Sequence, residues 1–74
     1  MSSLLLAQIP LKPFDGINPK AIAEWDKHLG YIIGIQVPDT KPGIVRLIER
    51  SSFPSVPDAL RELADLVENW DSTH

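Results

Sequence analysis

The chain contains no cysteine. That single absence removes a disulfide framework, a thiolate zinc site, iron–sulfur ligation and a cysteine nucleophile together. Long apolar runs are missing too. The stretch Tyr31 to Val37 is interrupted by Gly34 and Gln36 and falls far short of the roughly 20 residues a membrane-spanning helix needs. The opening Met1-Ser2-Ser3-Leu4-Leu5-Leu6-Ala7 has no basic residue and only a short apolar run, against the roughly 7 to 15 residues of a secretion signal, so it reads as mature sequence. The four glycines are scattered at 16, 30, 34 and 43, leaving no Gly-rich loop to cradle phosphates. Lys and Arg do not cluster, which disfavours direct nucleic-acid binding, because such binders neutralise phosphates with grouped cations. The expected setting is cytoplasmic, with no membrane contact.

What is present fits one small domain. The chain has 74 residues, 43% hydrophobic and 23% charged, close to the globular average. At this length folding hides only about 60% of the surface an unfolded chain exposes, so the core is small. Domains of this size usually draw extra stability from a disulfide, a metal, a partner or very regular helix packing, and the first is excluded here. The net charge of −3 is uneven: residues 1–50 carry six basic and five acidic groups, residues 51–74 one basic and five acidic.

Pro10 and Pro13 keep residues 1–17 out of helical geometry, giving an extended, Pro- and Leu-rich arm. Its Leu4, Leu5, Leu6 and Ile9 are hard to bury in so small a domain, so they either complete the core or dock on another chain. Asn18-Pro19 has the form of a helix opening, with Ile22, Trp25 and Leu29 on one face and Gly30 as the stop, which predicts a helix over 19–29. Residues 31–37 read either as a short strand, with Tyr31, Ile33, Ile35 and Val37 alternating, or as a continuation of that helical stripe. A strand is favoured by β-branched content and by two glycines. After the break at Pro38 to Gly43, Ile44, Leu47 and Ile48 predict a second short helix. Ser55-Val56-Pro57-Asp58 has capping-box form, and Val56, Leu60, Leu63, Val67 and Trp70 follow at spacings of four, three, four and three, predicting a third helix over 56–70. Residues 71–74 are expected to fray. The predicted fold is mainly α: a single domain over 18–70 with three short helices and one short strand, α+β being the alternative.

Over 12 residues, from Phe14-Asp15-Gly16-Ile17-Asn18-Pro19 through Trp25, the chain resembles the opening of capsid regions in retrotransposon Gag proteins, where a Phe-x-Gly turn precedes a helix carrying Trp. The remainder departs from that pattern, and no family is assigned on it.

Chemistry-bearing constellations are sparse. Glu24 and His28 stand one helical turn apart, a spacing found in zinc sites, but at least three protein ligands are needed and the only other histidine is the terminal His74. No metal or cofactor is assigned. The serines sit at termini or caps rather than in a Gly-x-Ser-x-Gly elbow. Glu62, Asp65 and Glu68 fall opposite the apolar seam, where a carboxylate stays wet and lacks the desolvation acid catalysis uses. Pro10-Leu11-Lys12-Pro13 fits the bare pattern of a polyproline ligand, but an arm packing Leu11 and Phe14 on its own core is the favoured account.

With no catalytic residue assigned, the expected function is a non-enzymatic protein-interaction module, an adaptor, inhibitor or assembly factor. Its partner-binding residues are expected to be Leu5, Leu11 and Phe14 from the arm with Leu60, Leu63, Val67 and Trp70 from the seam. The partner is another protein or a second copy, in a homo-oligomer or a hetero-complex. Self-assembly and service as a minor subunit of an enzyme complex are the alternatives.

Overall fold

The structure, a computed structural model, describes residues 3–74. It contains strands β1 (Ser3–Pro10), β2 (Lys20–Asp26), β3 (Gly30–Pro38) and β4 (Val45–Phe53), followed by one helix, α1 (Val56–Thr73). The strands form an antiparallel meander in the order β1-β2-β3-β4, and α1 crosses one face over β2, β3 and β4. The smallest dimension is 15 Å, the depth of two layers.

Alternation builds the helix-facing side. Ala21 and Ala23 of β2 pair with Ile35 and Ile33 of β3, and all four join Val37, Ala59, Leu63, Leu66 and Trp70 in the core. The alanines have little side chain to hold the helix off, so the sheet centre and α1 approach closely. Ile22 and Ile32 alternate with these residues and point the other way. They are still only 5% and 6% exposed. Part of the cover comes from Gln8 of β1 and Gln36 of β3, whose amides meet at 3.4 Å across β2, beside Ile22.

The mainly α expectation is overturned: two of the three expected helices are strands. Residues 19–29 contain the β2–β3 hairpin. Asp26 Oδ1 accepts from the backbone N–H groups of His28 (2.7 Å) and Leu29 (3.1 Å), and Gly30 closes the loop with φ +83°. A three-residue turn followed by a left-handed glycine is a hairpin device, so the glycine read as a helix stop opens the next strand. The Asn18-Pro19 opening and the Ile22–Trp25–Leu29 spacing both pointed to a helix, and cross-strand pairing outweighs them. Trp25 lies on β2, so the helix implied by the Gag resemblance does not form.

The second expected helix, read from Ile44, Leu47 and Ile48, is replaced by β4, which begins at Val45. Its alternation is hidden by a bulge: Ile33 pairs with Ser51 and Ile35 with Ile48, leaving Glu49 and Arg50 opposite Gly34, with Glu49 at φ +50°. Within the expected N-terminal arm, Ser3–Pro10 is a sheet strand, itself bulged at Leu6, and residues 1–2 lie outside the described residues. Residues 31–37 lie in β3. The third helix forms from Val56, with Ser55 as N-cap, and runs through Thr73, into the segment expected to fray.

Candidate functional site

Four strands about 4.8 Å apart span roughly 19 Å, while a helix with its side chains is about 10 Å wide. One helix therefore does not reach across such a sheet from edge to edge. Here α1 packs over β2, β3 and, less extensively, β4, and leaves β1 outside its footprint. The result is a groove between β1 and α1, made of two adjoining clefts that share Leu60. The first, about 230 Å³, has a floor of Ala7, Ala23 and Ile33 and walls formed by Leu6, Val56 and Leu60. The second, about 460 Å³, continues along the helix past Ile9, Ala64 and Val67 to Glu68 and Asp71.

The walls are apolar and wet. Leu6 is 48% exposed, Ile9 38% and Leu60 52%. The helix is rotated so that its buried stripe is Ala59, Leu63, Leu66 and Trp70. Three of the five residues of the expected seam, Val56, Leu60 and Val67, consequently lie on the flank overlooking β1.

The two sheet edges differ. Exposed edge strands invite further pairing and are commonly protected by charges or bulges. β4 carries Arg46, Glu49, Arg50 and the bulge, whereas β1, Ser-Leu-Leu-Leu-Ala-Gln-Ile-Pro, has a bulge and a terminal proline but no charge.

The expected partner-binding residues do not form one surface. Leu60 and Val67 line the groove. Leu11, Leu63 and Trp70 are core. Phe14 is half-buried against the core, its ring 5.4 Å from that of Trp70. Leu5 pairs with Glu24 and so shares the sheet face turned away from the helix. Leu6, Ile9 and Val56 were not among the expected residues. The signal for Leu6 and Ile9 was the surplus of leucine and isoleucine in a charge-free segment, and that for Val56 was its place in the helical seam.

Other candidate chemistry disperses. Glu24 is on β2 and His28 in the following turn, so the helical spacing of that pair does not exist. Among the described residues no group of three metal-ligating side chains comes together. No polar or charged residue among them is buried. Asp26 is held below the ordinary carboxylate range, chiefly by the His28 backbone N–H, partly opposed by desolvation and helped by the Leu29 N–H and the charges of His28 and Arg50. On the other flank of α1, Glu49, Arg50, Glu62, Asp65 and Asn69 border a polar cleft. Trp70 stacks on His74 (3.8 Å, 9°), tying down the helix end. No helix among the described residues is long and apolar enough to cross a membrane.

No family model, curated protein or solved structure matches the chain.

Proposed function

We propose that this chain is a non-enzymatic protein-interaction module, an adaptor, inhibitor or assembly factor, that receives its partner in the groove between β1 and α1. The observation that carries the reading is a row of half-exposed aliphatic side chains, Leu6, Ile9 and Leu60, beside an uncharged sheet edge. Contiguous apolar surface of this kind costs free energy in water and marks interaction sites. The reading moves the docking surface from the whole helix seam to its β1 flank, because Leu63 and Trp70 are engaged in the core. The absence of cysteine fits a reducing, cytoplasmic setting.

The test is a crosslinked pull-down from the native cell lysate with the wild type, Leu60→Lys, Ile9→Lys and, on the polar flank, Asp65→Lys. Leu60→Lys and Ile9→Lys are expected to lose a partner that wild type and Asp65→Lys retain, with circular dichroism unchanged. Equal retention by all four proteins would overturn the reading. A melting temperature that rises with protein concentration and falls back in Leu60→Lys would favour self-assembly instead.

A further inference from the structure

Resting on that reading, we propose that the occupant of the groove is an amphipathic α-helix of a partner protein, apolar on one stripe and basic on its flanks. The strand that α1 leaves uncovered is β1, and a helix laid along it would sit beside α1 at the roughly 8–10 Å spacing usual for packed helices. Its length fits as well: from Val56 to Asp71 the groove follows α1 for about 24 Å, at the 1.5 Å rise of a helical residue. A strand added to the β1 edge would lengthen the sheet and leave Leu6, Ile9 and Leu60 exposed above it. A helix laid over β1 covers them.

The charge of the rim selects the partner. Glu68 and Asp71 border the groove. The only ion pair among the described residues is Arg61 with Asp58, at 3.4 Å, so the rim carboxylates have no cation bound to them. Lys12 Nζ donates to the backbone carbonyl of Asp71 rather than to its carboxylate. Lysine or arginine on the incoming helix would meet this acidic rim with complementary charge. A second copy is poorly suited: its helix is equally acidic, and its apolar stripe of Ala59, Leu63, Leu66 and Trp70 is occupied in its own core.

The experiment uses the full chain with labelled methyl groups, titrated with a synthetic 18-residue helical peptide that has leucines spaced three and four apart and lysines elsewhere. A second peptide has every lysine replaced by glutamate. The basic peptide is expected to saturate at one equivalent, shifting the methyls of Leu6, Ile9, Leu60 and Val67. The acidic peptide, and the double variant Glu68→Lys/Asp71→Lys titrated with the basic one, are expected to bind at least tenfold more weakly. Equal binding of both peptides, binding of neither, or shifts centred on Ile22 and Ile32 would overturn the proposal. Concentration-dependent shifts of the groove methyls without peptide would assign the groove to a second copy, overturning this occupant while the interaction reading stands. Loss of the interaction reading itself would show separately, as unchanged partner retention in Leu60→Lys.

Discussion

The indole Nε1 of Trp70 donates to the carbonyl of Lys12 at 3.0 Å, joining the C-terminal end of the helix to the loop that leaves β1, 58 residues away in sequence. Around this bond Leu11 is buried, its N–H donating to the Pro19 carbonyl at 3.0 Å, and Phe14 leans on the indole. Trp70 thereby fixes where the 11–19 loop sits relative to α1, at the far end of the groove from Val56.

Replacing Trp70 should therefore be severe. Trp70→Ala is expected to lower stability by about 3–5 kcal/mol, the usual cost of emptying a buried aromatic site. Trp70→Phe keeps a ring but strands the Lys12 carbonyl, and is expected to cost about 1–3 kcal/mol. Urea denaturation followed by circular dichroism measures both.

Two glycines with nearly equal φ separate conformational strain from collision. A Cβ at Gly16 (φ +76°) would meet nothing within 4 Å, whereas one at Gly30 (φ +83°) would lie 2.9 Å from the Phe53 carbonyl oxygen. Gly16→Ala is expected to cost about 1–2 kcal/mol from the left-handed backbone alone. Gly30→Ala should cost clearly more, because Phe53 pairs with Tyr31 and cannot retreat without loosening β4. Paired urea titrations give the comparison.

At the start of α1, Ser55 Oγ donates to Asp58 Oδ2 at 2.9 Å and accepts from the Asp58 N–H at 3.5 Å. Ser55→Ala is expected to lose about 1 kcal/mol and Ser55→Thr to recover most of it. Thermal melts of the three proteins check this.

Asp26 makes stability depend on acid. Its carboxyl titrates below the ordinary value when folded, chiefly because the carboxylate accepts from the His28 N–H. Its contribution is thus fully present above the unfolded-state pKa and is lost as pH falls through the lower folded one, from about pH 5 downward. Asp26→Asn, which can still accept through Oδ1, should show a flatter acid limb and converge with wild type at the lowest pH. Melting temperature against pH reads the difference.

The helix was legible because its signals are local: Ser55 and Asp58 cap it, and Val56, Leu60, Leu63, Val67 and Trp70 repeat at helical spacing. The face it buries was not, since rotation toward Ala59 and Leu66 is decided by the sheet beneath. β3 was readable from its alternation, and β1 as extended chain, but not the pairing that joins them to β2. β2 was obscured by the Asn18-Pro19 opening and the Ile22, Trp25 and Leu29 spacing, both helical in form, which cross-strand pairing overrides. β4 was obscured by the bulge at Glu49 and Arg50, which breaks the period of two. Of the groove, Leu60 and Val67 came from the helical spacing. Leu6 and Ile9 were visible only as hydrophobic residues without an evident place in the core.

The most direct test of the docking surface is site-specific photocrosslinking in the native lysate, with a benzophenone side chain at position 60 and, as comparison, at position 65. The groove reading predicts a discrete heterologous adduct from position 60 and none from position 65. Adducts from position 65 alone, or no intermolecular adduct from position 60 in a protein that remains folded, would contradict it.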